Sequence, residues 1–437
     1  HSASHTTTPS SHTFTGNIYY DGNINKLHVN FNADFSDSGY KKETNVNESS
    51  QNDPAFIENL SDGVARMGAG KLVLSYPIWK GMFKIGTEET YVSAKQEYNS
   101  TKTEIPSSKA KIAENNISGF AEYALPFKYV QVVAGIRYEH VDFEYTNECS
   151  PKDNISRTHN NWFPSFNAST KIGPVGVNIG YTTKIKRPRY DQLSTEMQYN
   201  NRFLYQTGDP TLLNEIQNTL SLNANWRWLT LTGAYEVVDN AIYQLGYPYD
   251  DDCTAMVKYS NAKETVRKLN IYLNASPTVG IWNPRYTVGM EKQYFETTVI
   301  DPRESTGTRV VKRNDPMFFV QANNSFKLKQ GWLIDLDYQY TSPFDYVMYK
   351  FTKPKHGLNL AVSKSFLKHD ALNVRLAWND ILNKTKEHVC TDYGNFIHSQ
   401  NNDYNSPCVQ LRLSYRFNTA NSKYKGTGAG ADAKSRM

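Results

Sequence analysis

The chain has 437 residues, only 39% of them hydrophobic, and its 48 Lys and Arg against 43 Asp and Glu leave a net charge of +5. No run of 18 apolar residues occurs, which excludes a transmembrane helix. The near balance of charge, without a Lys/Arg block, excludes a nucleic-acid footprint.

What the composition hides is alternation. Apolar side chains recur every second residue over segments of about ten, the length a tilted strand needs to cross a bilayer. In chain order the pattern predicts strands over 12–20, 24–36, 70–77, 81–94, 116–125, 130–144, 162–172, 175–186 and 217–227. It continues over 229–244, 264–275, 284–293, 316–327, 331–342, 356–366, 370–381 and 408–418. The last is the clearest: Val409, Leu411, Leu413, Tyr415 and Phe417 share one face, and Gln410, Arg412, Ser414 and Arg416 the other. One face suits hydrocarbon and the other water. A soluble sandwich or propeller fits poorly, because long paired strands with polar inner faces leave no dry core. The 30 Tyr and 7 Trp suit interfacial girdles. The fold class is therefore all-β, an antiparallel transmembrane β-barrel with about 17 strands in this chain.

Connections alternate in length. Short ones fall at Asp21-Gly22-Asn23, near Pro126-Phe127-Lys128, at Gly173-Pro174, at 327–331 and at 367–369. Long polar ones fall near 37–69, 95–115, 145–161, 187–216, 245–263, 294–315, 343–355 and 382–407. Short turns belong in the periplasm and long loops outside. Single-chain barrels of this type have even strand numbers, so an odd count predicts further strands upstream, about five for a 22-stranded barrel. The chain opens at His1 without Met or an apolar leader, which fits a C-terminal part of a longer protein. The expected division is a barrel over 1–418 and a polar tail over 419–437.

Three motifs sharpen this reading. Lys186-Arg187-Pro188-Arg189-Tyr190-Asp191-Gln192-Leu193 follows an upward strand, Gly208-Asp209-Pro210-Thr211-Leu212 precedes the next downward one, and the end reads Ser414-Tyr415-Arg416-Phe417-Asn418, then Lys423-Tyr424-Lys425-Gly426-Thr427-Gly428-Ala429-Gly430. With Gly135-Ile136-Arg137-Tyr138-Glu139 and Trp378-Asn379-Asp380-Ile381-Leu382-Asn383, they resemble the C-terminal barrel of the outer-membrane β-barrel protein family related to TonB-dependent receptors. Asp209 departs from the Asn more usual there; both residues tolerate the turn. No plug domain or TonB-contacting segment is visible. The resemblance implies a gram-negative outer-membrane receptor that binds a ligand at the surface and imports it through a plugged barrel. Its implied partners are the lipid bilayer, an N-terminal plug with the remaining strands, TonB, the barrel assembly machinery and a surface lipoprotein. The alternative is a non-transporting structural or assembly-partner barrel.

Lumen candidates are Arg137, Glu139, Glu122, Arg375, Arg412 and Arg416, which oppose apolar neighbours. They are candidate plug or ligand contacts, although a mutually paired, solvated wall accounts for them more simply. In Arg187-Pro188-Arg189-Tyr190, Pro188 ends the ladder and Tyr190 anchors the loop, while the arginines suit loop carboxylates or an anionic ligand; loop architecture has the greater weight. Asp250-Asp251-Asp252 lacks the spacing of a calcium loop, and the ten histidines have no metal spacing. No cofactor, metal site or catalytic constellation is expected, and the chain is not read as an enzyme. Cys149, Cys253, Cys390 and Cys408 lie in or beside outer loops and are read as disulfide partners, Cys390 with Cys408 and Cys149 with Cys253. Tyr415 and Phe417 are the expected assembly signal.

Overall fold

The computed structural model describes residues 2–49, 55–249, 255–394, 396–404, 406–417, 426 and 428–437. In chain order its strands are β1 (Ser2–Ile24), β2 (Leu27–Ser49), β3 (Ala55–Ile78), β4 (Gly81–Ser100), β5 (Ser108–Pro126), β6 (Val130–Asn147), β7 (Ile155–Ile172), β8 (Val175–Lys186), β9 (Gln198–Asn201) and β10 (Leu204–Thr207). There follow β11 (Glu215–Trp226), β12 (Leu229–Asp239), β13 (Ile242–Pro248), β14 (Ala255–Asn261), β15 (Val266–Ala275), β16 (Trp282–Ile300), β17 (Thr308–Arg313) and β18 (Met317–Lys327). The last are β19 (Trp332–Thr341), β20 (Phe344–Tyr346), β21 (Tyr349–Phe351), β22 (Lys355–Phe366), β23 (Leu372–Asn379), β24 (Glu387–Asp392), β25 (Ile397–Asn402) and β26 (Cys408–Tyr415). Two short helices are α1 (Tyr190–Leu193) and α2 (Ala431–Arg436).

β1 to β8 pair in sequence, and the wall continues through β11, β12, β15, β16, β18, β19, β22, β23 and β26, antiparallel at every step. These 17 strands match the number read from alternation, and β17 joins only the upper part of β16. Among the described residues no ladder joins β1 to β26. Two four-stranded sheets, one of β9, β10, β13 and β14 and one of β20, β21, β24 and β25, are built from the long loops.

Register fixes which side chains share a face. Phe31, Leu72, Thr87, Gly119, Tyr138 and Trp162 lie in one row across β2 to β7, and Ile85, Ala121 and Ile136 in another. These rows are the outer face, where large apolar side chains are exposed to lipid. Trp79, Tyr129, Trp226, Trp228 and Trp332 stand exposed at the short-turn end, as a girdle of amphipathic rings should. Tyr138 and Trp162, 4.7 Å between ring centroids, mark the opposite interface about one bilayer crossing higher.

Three details differ from the sequence reading. The first hairpin turns at Asn25-Lys26, with Asn25 at φ 53°, and Asp21-Gly22-Asn23 stay paired in β1. A two-residue turn matches the strand twist better than the three-residue connection expected, and Asn tolerates positive φ. The segments 37–69 and 95–115 are largely strand, since β2 to β5 run on beyond the bilayer. Their Thr-, Ser- and Lys-rich sequence keeps the period of two without an apolar outer face, so hydrophobic alternation missed them. The segment 229–244 divides at Asn240, φ 55°, where β12 leaves the wall and β13 enters a loop sheet.

Candidate luminal site

The inner face of β2 to β6 is made of rows that alternate with the lipid-facing ones. Asn32, Lys71, Glu88, Ser118 and Glu139 form one row, with Asp34, Ala69, Thr90, Asn116 and Val141 above it. The next row upward is Ser36, Met67, Val92, Glu114 and Phe143. Met67, Ala69 and Val92 on these rows, with Ala65, Ala94 and Ile112 on the row above, make a buried apolar patch beside the carboxylates.

Two of the sequence motifs meet on this patch. Tyr190, Leu193 and Leu212 pack against it, which folds the segment between β8 and β11 inward. Asp209 N–H donates to the Gln192 carbonyl at 2.7 Å and Gly208 N–H to the Ser194 carbonyl at 3.0 Å. A Cβ on Gly208 would lie 2.3 Å from the Gln192 carbonyl oxygen, so this close approach requires glycine. Asp209 closes its turn by accepting from Thr211 N–H at 2.8 Å and the Thr211 hydroxyl at 2.6 Å.

Arg187 is the centre of the charge arrangement. Its side chain is 4% exposed, and its guanidinium donates to Glu139 and reaches Asp432 at 2.8 Å. Arg137 Nε donates to Glu139 at 2.7 Å and its Nη2 lies 3.6 Å from Glu88. The C-terminal segment supplies the remaining partners. Lys434 Nζ meets Asp34 at 2.6 Å, and Arg436 donates to Glu114 with both amino groups, one at 3.0 Å, while its guanidinium lies 4.9 Å from the Tyr190 ring centroid. Buried arginine–carboxylate contacts of this kind offset the loss of water around both charges only when their hydrogen bonds are made.

Of the expected residues, Arg137, Glu139, Arg187 and Tyr190 come together here, and Glu122 pairs with Lys84 at 2.9 Å on the same face. Arg189 does not join them; it is exposed and paired with Asp191 at 2.9 Å. Arg375 bonds Asp335 at 2.6 Å in a distant part of the wall, and Arg412 is exposed opposite it in the ladder. Asp34, Glu88, Glu114, Asp432, Lys434 and Arg436 were missed. Strand alternation could have placed Asp34, Glu88 and Glu114 on an inner face, but nothing local tied them to residues more than 300 positions later.

The disulfide expectation is corrected. Cys390 sits on β24 opposite Lys350 and Ser399, whereas Cys408 begins β26 opposite Asn379, and both thiols are unbonded, as is Cys149. The intervening β24–β25 hairpin belongs to a loop sheet, so the two cysteines do not face each other across adjacent wall strands. Cys253, Asp250-Asp251-Asp252, Asn418 and Lys423-Tyr424-Lys425 lie outside the described residues.

The chain belongs to the Outer membrane protein beta-barrel family, whose model matches residues 21–415. Three solved structures share its architecture. The copper transporter OprC is 11% identical with a TM-score of 0.57, covering 86% of this chain and 67% of that one. The ferric-catecholate import receptor Fiu from K12 E. coli is 12% identical with a TM-score of 0.60, covering 93% and 64%. The ferric yersiniabactin uptake receptor FyuA from Yersinia pestis is 11% identical with a TM-score of 0.61, covering 94% and 61%. At such identities the likeness is one of fold, and the chain spans about three fifths to two thirds of their lengths. No curated protein matches it. The protein is a multi-strand barrel of the gram-negative outer membrane.

Proposed function

We propose that this chain forms most of the wall of an outer-membrane import receptor, which binds a ligand at the cell surface and passes it inward through a plugged barrel. The observation that carries the reading is the outer mouth. Long loops fold inward there onto a charged inner face instead of leaving an open water-filled ring. A simple pore has no need of that arrangement, whereas a receptor uses inward loops to form a ligand surface. The named neighbours are transporters and receptors, which agrees. Their extra length supports a plug and further strands beside this wall. TonB, the barrel assembly machinery and a surface lipoprotein are the partners this reading requires or suits.

The test compares solute depletion from a complex medium by cells with and without the full protein, each with and without a protonophore. A solute removed only by energised cells that carry the protein supports the reading. Identical depletion profiles favour the non-transporting structural barrel.

A further inference from the structure

The last ten residues return to a part of the wall remote from the strand they follow. Tyr415 ends β26 opposite Leu372, at the short-turn level, whereas Gly428 meets Asn32 on the inner face of β2, in the ladder row that ends at Glu139 of β6. Three successive backbone N–H groups then donate to wall side chains: Gly428 to Asn32 at 3.2 Å, Ala429 to Asp34 at 2.7 Å and Gly430 to Glu88 at 2.8 Å. Ala429 and Ala433 enter the apolar patch of the inner face, and Lys434 and Arg436 bind Asp34 and Glu114.

This contact set reads a peptide at three levels: main chain, small side chain and cation. Gly430 has φ 66°, and a Cβ there would lie 2.7 Å from Met67 Sδ, so the glycine lets the backbone approach the wall. Among the described residues, both hydrogen bonds to the buried Glu114 carboxylate come from Arg436. The wall therefore holds a carboxylate whose pairing depends on an occupant. Helix α2 has six residues, too few to persist in water without its contacts. Cavities of about 280 Å³ beside Arg436 and Met437, and about 160 Å³ beside Glu88 and Asp432, leave room along the same face.

We propose that the inner face of β2 to β6 is a binding site for cationic, glycine-containing peptides, and that the chain's own segment Gly428–Met437 is its resident ligand. A free peptide of that chemistry occupies the site once the tail leaves. The proposal goes beyond the import reading and does not rest on it.

The experiment uses the full protein and a variant ending at residue 427, both in nanodiscs, with heat-modifiable mobility as the check of folding. The probe is a fluorescent synthetic peptide of the sequence of residues 428–437. It should bind the shortened protein saturably, and the full protein at least about tenfold more weakly because the tethered tail competes at high effective concentration. Arg436→Ala in the peptide, or Glu114→Gln in the shortened protein, should each weaken binding about tenfold by removing a charge-assisted contact. Equal binding to both proteins, or none to a shortened protein that retains its folded mobility, overturns the proposal. A second measurement covers a shortened protein that does not fold. Ala433→Cys in the full chain should react slowly with a water-soluble maleimide at that position, and Gly430→Val should speed it. Equal rates overturn the proposal. Loss of solute uptake with peptide binding intact would sink the import reading alone.

Discussion

Arg187 and Arg189 are two residues apart and chemically identical, yet the fold gives them different weights. Arg187 is buried between Glu139 and Asp432, while Arg189 is exposed beside Asp191. Removing one member of a buried pair strands the other in a poorly solvating place, at about 3–5 kcal/mol, against ~0–1 kcal/mol for a surface pair. Arg187→Ala should thus lower unfolding stability in urea several times more than Arg189→Ala, and equal losses would show that the Glu139 contact is not formed. Glu196, in the loop after α1, is held up to about 7 chiefly by burial, only partly offset by Lys42, Ser61 and Gln198. The folded state disfavours its ionised form. Loop packing is consequently strongest below its ordinary value of 4.5 and weakens as pH rises through about 7. Limited proteolysis of 187–214 should be slower at pH 5 than at pH 8, and Glu196→Gln should remove the difference; faster cleavage at pH 5 would reverse the assigned sign. The sequence weighted Arg187 and Tyr190 toward loop architecture by residue type; in the structure Arg187 pairs with Glu139 of the wall and Asp432 of the C-terminal segment and Tyr190 packs on the inner-face cluster, while Glu196 carried no local signal because its burial comes from strands far away in the chain.

At the scale of elements, strands were legible wherever an apolar face met lipid. β26 is the clearest case, with Val409, Leu411 and Leu413 exposed on one side. Legibility failed above the bilayer, where the ladder of β2 and β3 continues through Thr44–Asn59 and Glu48–Ala55 pairs without hydrocarbon to sort the faces. It failed again for the loop sheets, whose strands of three to seven residues are too short to show a period. The terminal element has its own consequence. Phe417 is 77% exposed and stacks on Tyr415 with ring centroids 6.4 Å apart, which presents two aromatic rings at the end of the last strand. If assembly machinery reads that end, Phe417→Asp should cut the heat-modifiable barrel recovered from outer membranes several-fold, with Phe417→Tyr near normal. Undiminished barrel in the Asp variant would remove Phe417 from the signal.

For the whole molecule, the two-faced wall is the claim on which the rest stands. Strand count and face alternation followed from the period of two, because each lipid-facing row must be apolar and each inner row is free to be charged. The occupant of the inner face did not follow, since a glycine-rich polar tail looks the same in sequence whether it is solvated or seated on Asp34 and Glu114. Ile136 and Arg137 are adjacent in β6 and paired with Ala121 and Phe120, so they must face opposite solvents. The most direct test is a fluorophore placed in turn at Ile136→Cys and Arg137→Cys in the membrane-embedded protein, with brominated lipid and aqueous iodide as quenchers. Brominated lipid should quench the probe at 136 and iodide the probe at 137; quenching of both positions by the same agent would contradict the two-faced wall.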